Sequence, residues 1–327
     1  MTKNLTWKMS SNIKQKMIKM ILNKDIELLK PQVHENLAII PLKTERSYID
    51  LLTLKKGLEL GLVKVKECET SQVNTLIVEN NAVTPLILID GEEIVGGDQN
   101  RIVNSTILIK GKSTMDIPVS CSEQGRWAYK SEFKQSNYIA NFKTRRAKEY
   151  ASRSNHHFQD VIWSSINYLE MENSFASPTS AMEESYENLK TDHNKIINEF
   201  EVVDGQNGVL VIVDGEITGF ELFLNPEIYR EFHEKILKSY LIDSKIKDQT
   251  FTINIDVAKE VIAKALESPY EKRPNIGLEE IFEFENDEGL GTLYTYKDKI
   301  IHLSYFTKLE NNFEDEINDD IGLKSDI

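Results

Sequence analysis

Cysteine is nearly absent from this chain: only Cys68 and Cys121 occur in 327 residues. Two thiols are too few for a Cys-rich zinc site, and a chain of this length can bury a core without a disulfide staple. Long apolar runs are missing too. No stretch approaches the roughly 18 consecutive apolar residues of a membrane span. Met17–Leu22, the best apolar run near the N-terminus, is broken by Lys19 and lacks a small-residue cleavage site. Positive charge is in deficit, with 39 Lys and Arg against 53 Asp and Glu and a formal net charge of −14. Such a surface repels phosphate backbones and anionic membranes, so broad nucleic-acid or membrane binding is disfavoured. A local basic patch could still hold one small anion. No P-loop, dinucleotide-binding glycine fingerprint, nucleophile elbow or HExxH occurs, so no common catalytic motif names a reaction. The expected compartment is the cytosol; no metal site is predicted, no cofactor is indicated, and a homo-oligomer stays open.

What is present is a succession of short apolar runs. After a strand near Leu37–Pro41 and a short helical stretch around Leu51–Leu60, stopped by Gly61, come Leu62–Val65, Thr75–Val78, Leu86–Ile89, Thr106–Ile109 and Met115–Val119. Spacing this close, with no helices between, predicts antiparallel sheet rather than βαβ crossovers. Helices are expected over His157–Met171, from Ser177–Pro178 through about Phe200, from Asn225–Pro226 to about Tyr240, and over Val257–Leu266. Strand character returns at Val209–Val213 and over Ile281–Phe306. The fold class is α+β, mostly antiparallel sheet with packed helices. The chain divides into an amphipathic N-terminal helix over 1–30, an α+β domain over 31–306, and an acidic tail over 307–327 expected to be disordered. An internal echo links LILIDGEEIVGG (86–97) with LVIVDGEITG (210–219). Asp-Gly between apolar runs signals a hairpin, so the echo reads either as two similar hairpins or as a pseudo-duplication.

Two polar motifs interrupt the strands. In Gly96–Arg101 the glycines permit positive φ or close approach, Gln99 and Asn100 each offer an amide donor and acceptor, and Arg101 offers a planar fork for carboxylate or phosphate. The plain alternative is a polar turn that caps its own backbone. In Ile117–Trp127, strand alternation puts Ile117, Val119, Cys121 and Glu123 on one face. Glu123 then lies where burial would perturb a carboxylate, making it a candidate general acid/base. Cys121 is a lesser candidate nucleophile, with a buried structural thiol as the alternative. Arg126 would hold an anion or pair with Glu123, and Trp127 would stack or join the core.

Together these segments resemble the ARG and Rhodanese-Phosphatase-superfamily-associated domain, a bacterial family. The resemblance rests on GEEIVGGDQNR (91–101), the following Asn104-Ser105-Thr106, IPVSCSEQGRW (117–127) and GEITGFELF (215–223), and runs over roughly 31–306. Where the family commonly carries Lys, this chain has Asp98, which removes a positive charge beside Gln99. The family's name reflects association with ADP-ribosylglycohydrolase and rhodanese-phosphatase proteins. What the resemblance implies is recognition of an ADP-ribose-like or other phosphorylated, nucleotide-derived small ligand. Gln99, Asn100, Arg101, Arg126 and Trp127 are the expected binding residues. The alternatives are a hydrolase of such a molecule using Glu123, with Cys121 behind it, and a protein-interaction scaffold.

Overall fold

The computed structural model describes residues 26–45, 47–68, 73–154, 157–248 and 251–308. Along these the chain forms β1 (Glu27–Leu28), β2 (Gln32–His34), β3 (Leu37–Lys43), β4 (Leu52–Thr53), α1 (Leu54–Glu59), β5 (Val63–Glu67) and β6 (Thr75–Asn80). Next come β7 (Leu86–Leu88), β8 (Glu92–Val95), β9 (Arg101–Val103), β10 (Ile107–Ile109), β11 (Ser113–Cys121) and β12 (Lys134–Ile139). Three helices follow, α2 (Phe142–Ser154), α3 (Phe158–Glu172) and α4 (Met182–Ile197). The remainder is β13 (Gly208–Val213), β14 (Glu216–Phe223), α5 (Pro226–Leu241), α6 (Ile255–Glu267), β15 (Tyr270–Arg273), β16 (Glu280–Asn286), β17 (Gly289–Tyr296) and β18 (Lys299–Thr307).

The largest sheet runs β1-β3-β13-β14-β18-β17-β16-β15, with β2 also on β3, and every pair in it is antiparallel. Its strand β13 reads as an unbroken apolar run because both faces are covered. Val209 and Val211 join the core that holds Phe232, Ile236 and Tyr240 of α5. Leu210 and Ile212, pointing the other way, join Ala258, Ile262 and Ala265 of α6. A six-stranded antiparallel sheet, β12-β8-β9-β11-β6-β5, carries both polar motifs. Beside it lies a small sheet β10-β7-β4, whose β4–β7 pair is parallel. The α+β, mostly antiparallel class is therefore the observed one, and no helix among the described residues is long and apolar enough to cross a membrane.

Local chemistry explains several boundaries. Asn225 caps α5 by accepting from the Ile228 backbone N–H at 2.9 Å, with Pro226 in the first turn. At Asp214-Gly215 both residues have positive φ (54° and 89°), as a two-residue hairpin turn requires, and Val213 pairs with Glu216. Asp90-Gly91 does something else. There β7 and β8 do not pair, and the chain turns from the small sheet into the six-stranded one. The echo between the two segments thus does not extend to their pairing.

Three helical expectations need correction. Ser177–Pro178 does not open α4. It forms a turn in which the Ser180 N–H donates to the Ser177 carbonyl, and the helix begins only at Met182. The expected helix over 1–30 does not include Glu27–Leu28, which pair with β3; its residues 1–25 lie outside the described residues, as does 309–327 of the acidic tail. Finally, α2 has no counterpart in the sequence reading. Its inward face carries Arg145, Arg146, Lys148 and Glu149, all buried, so the apolar stripe that marks a helix is missing.

Candidate functional site

Gly96–Arg101 links β8 to β9, and the Cys121–Trp127 segment leaves the end of β11; the fold brings them together. Gly97 has φ of 52°, and a Cβ there would meet Phe133 Cζ at 2.2 Å and Glu67 Oε1 at 2.7 Å, so only glycine fits. Arg126 is the hub. Its Nε donates to Glu123 Oε2 at 2.9 Å, its Nη1 to the carbonyls of Gly97 and Ala128, and its Nη2 to Glu123 Oε2, Asn100 Oδ1 and the Gly96 carbonyl. Asn100 Oδ1 also accepts from the Gly96 N–H, while Gln99 Nε2 donates to the Glu123 carbonyl. Arg101 donates to Gln99 Oε1 and to the Asn100 carbonyl, and lies 3.5 Å from Glu67 Oε2. Every nitrogen of Arg126 faces a protein acceptor. Trp127 lies outside this network with 65% of its surface exposed.

Burial alone would raise the Glu123 carboxyl, but hydrogen bonds from Arg126 and Thr179, with the Arg126 charge, hold it below its ordinary value. A carboxylate held in that way is a poor proton donor at neutral pH. Cys121 is 3% exposed, and burial pushes its thiol up despite the nearby Arg101 charge, away from nucleophilic activation. Its backbone N–H and carbonyl are both taken by the side-chain amide of Gln159. Cys121→Ser is expected to fold and to lose about 1–2 kcal/mol in chemical denaturation. A loss near zero would mean that this thiol is not packed as described.

A second polar cluster begins where β9 ends, and sequence reasoning missed it. Lys148 of α2, 2% exposed on its side chain, places Nζ 2.6 Å from Asp90 Oδ1 and donates to the Val103 carbonyl. Arg145 grips Glu221 with two hydrogen bonds of 2.8 and 2.9 Å, and its Nε lies 3.5 Å from Asp90 Oδ2. That Asp90 oxygen has no hydrogen-bond partner. Behind it, Thr106 Oγ1 meets His302 Nδ1 at 2.8 Å, and His302 Nε2 meets Glu221 Oε2 at 3.3 Å.

Asp90 and Lys148 line a cleft of about 300 Å³ that also exposes Ser105, Glu149, Arg273, Glu283, Phe158 and Tyr294. Arg273 donates to Glu283 at 2.6 Å, and Ser105 Oγ lies 3.1 Å from the Tyr294 hydroxyl. Burial raises the Glu149 carboxyl above its ordinary value; the Arg153 charge offsets part of this, and the Asp90 and Glu283 charges add to it. No group of three or more His, Cys, Asp or Glu side chains placed to hold a metal ion occurs among the described residues. The only sequence signal for this cluster was the charged run Arg145-Arg146-Ala147-Lys148-Glu149, which reads as a solvated surface until its partners are known.

A family model, the ARG and Rhodanese-Phosphatase-superfamily-associated Protein domain (ARPP-1), matches residues 25–306, a span that includes both the motif network and the cleft. No curated protein and no solved structure matches the chain.

Proposed function

The chain belongs to the ARG and Rhodanese-Phosphatase-superfamily-associated Protein domain family, and on that footing we propose that it is a cytosolic small-ligand binding protein for a ribose-bearing, ADP-ribose-like molecule. The sugar enters the Asp90–Lys148 cleft. One observation carries this reading: a lysine and an aspartate are paired in the lining of an open concavity that also holds the carboxylates of Glu149 and Glu283, while the second aspartate oxygen is buried against Arg145. Buried charge is costly unless fully satisfied, and such clusters are concentrated at functional sites. Ligand hydroxyls can donate to Glu149 and Glu283, while Lys148 and Arg273 already lean on carboxylates. That balance favours a polyol over a bare dianion. A cavity of about 300 Å³ lies at the small end of ligand pockets and takes a sugar-sized portion of a longer molecule. In this reading Gln99, Asn100, Arg101, Glu123 and Arg126 brace the start of β9, a strand of three residues whose far end presents Ser105 to the cleft.

Thermal shift with ADP-ribose, ribose 5-phosphate and adenosine diphosphate tests the reading. A ligand at about 100 times its dissociation constant stabilises the fold by roughly 2.7 kcal/mol. The ribose-bearing compounds with a free sugar are expected to produce that shift, and Lys148→Met to remove it. No shift with any of them, or a shift that survives Lys148→Met undiminished, sinks the proposal.

The raised Glu149 carboxyl favours a second reading, hydrolysis of the same ligand with Glu149, rather than Glu123, as proton donor. Glu149→Gln separates the two: binding persists in both, but only an enzyme loses product formation.

A further inference from the structure

Strand β5 ends one side of the six-stranded sheet and β12 ends the other, so each has one edge that pairs with no strand among the described residues. Both edges face the same groove, of about 980 Å³. All five residues of β5, Val63–Glu67, line it, as do Ser131–Phe133, which lead into β12, and Lys134, Gln135 and Asn137 within it. Side chains of a strand alternate between its faces. An uninterrupted run of residues along a groove therefore means that the backbone edge itself faces it.

The side chains beside that edge specify what could pair there. Val63 and Val65 turn towards the apolar core that holds Leu76, Val78 and Ile117, whereas Lys64 and Lys66 are exposed on the opposite face. On that outer face Lys64 is in register with Glu79 of β6, and Lys66 Nζ lies 2.5 Å from Glu79 Oε1. One strand further in, Asp116 of β11 is in register with Ile77, which in turn faces Lys66. The outer face therefore carries Asp116 on β11 and Glu79 on β6, with the lysines gathered on the edge strand β5. Lys55 of α1 and Lys134 of β12, both exposed, also line the groove, as do Glu59, Glu67, Asp98 and Glu132, so the positive bias belongs to the Lys64–Lys66 face rather than to the groove as a whole. Two lysines at i and i+2 oppose pairing of this edge with a second copy of itself, because like charges would stand opposite each other, and they favour a strand with carboxylates at the matching positions.

We propose that the groove between β5 and β12 accepts an extended segment of a partner protein, which adds to the β5 edge as a further strand with acidic and apolar residues in alternation. Backbone hydrogen bonds supply the attachment and the lysine face supplies the choice of partner. The proposal is independent of the ligand cleft.

The probe is a short fluorescent peptide of alternating Glu and Val, followed by anisotropy and by hydrogen exchange of the β5 amides. Binding with slowed exchange of β5 is expected. Two controls leave the fold intact. The same peptide N-methylated at alternate residues keeps its side chains but cannot pair, and is expected not to bind. Lys64→Glu/Lys66→Glu, at two exposed positions, is expected to weaken the acidic peptide about tenfold and to favour a Lys-Val peptide instead. No binding at millimolar peptide overturns the proposal, as does equal binding of the N-methylated peptide or indifference to the charge reversal. Protection of β5 that rises with protein concentration and without peptide would make the occupant a second copy, which also overturns it.

Discussion

Arg145→Met is expected to destabilise the protein by about 3–5 kcal/mol, a fall in melting temperature on the order of 10 °C. Arg145 is 0% exposed and bridges Glu221, also 0% exposed, to the edge of the Asp90 carboxylate. Removing the guanidinium leaves a buried carboxylate with only the His302 and Tyr240 contacts, in a region too apolar to hydrate it. Adding Glu221→Leu to Arg145→Met should recover much of the loss, because a pair replaced together leaves no uncompensated charge. The pH dependence gives a second readout. Burial would raise the Glu221 carboxyl, but the Arg145 charge and hydrogen bonds, helped by His302, pull it from an ordinary 4.5 down to about 2. A depressed carboxyl stabilises the fold above its unfolded pKa and loses that contribution as pH falls through its folded one. The native protein should therefore lose roughly 3 kcal/mol from this group between about pH 4.5 and pH 2. Arg145→Met should show that acid-limb loss strongly reduced. Urea melts across this range decide the matter, and a change below about 1 kcal/mol at neutral pH would falsify the account of the pair.

Arg126→Ala should cost a similar amount, about 3–5 kcal/mol, without any ligand present. The variant strands Glu123, whose side chain is 3% exposed, and leaves the carbonyls of Gly96, Gly97 and Ala128 without this donor. Arg126→Lys should rescue little, since an ammonium cannot span acceptors placed around a planar fork. Hydrogen exchange should speed up in 96–101 first, where Arg126 binds the Gly96 and Gly97 carbonyls and the Asn100 side chain. Were Arg126 instead held for a ligand, the unliganded protein would melt almost unchanged and only binding would suffer. Guanidinium melts of the two variants distinguish these outcomes directly.

How much of this was legible in advance differs between the two polar clusters. The motif network was readable because its residues are close in sequence: glycines with no room for a Cβ, amides beside them, and an acid three residues before its arginine. Their meeting followed from the cost of leaving such groups buried and alone. Which acceptors Arg126 takes was not readable, since four of them are backbone carbonyls or amide oxygens whose direction depends on the finished loop. The cleft was invisible for a different reason. Asp90, Lys148, Glu221 and His302 come from four separated stretches of chain, and α2 turns its charges inward where periodicity expects apolar residues. A charged helix with charged partners and a charged helix in water have the same sequence pattern.

The sequence by itself determined what depends on neighbours along the chain: the strand-length apolar runs, the antiparallel class, the Asn225–Pro226 cap and the hairpin at Asp214-Gly215. Tertiary structure alone decided why Asp90-Gly91, with the same dipeptide between similar runs, changes sheets instead of reversing within one. Asp214 also has distant partners in Asn36 and Lys247, but there both turn residues adopt positive φ, whereas at Asp90-Gly91 only the glycine does. At Asp90 the backbone N–H is taken by Thr106, the side chain by Lys148, and a Cβ on Gly91 would press on Arg145 at 3.0 Å. Those partners lie 16 to 58 residues away, and their hydrogen bonds, not the dipeptide's own preference, set the path of the chain.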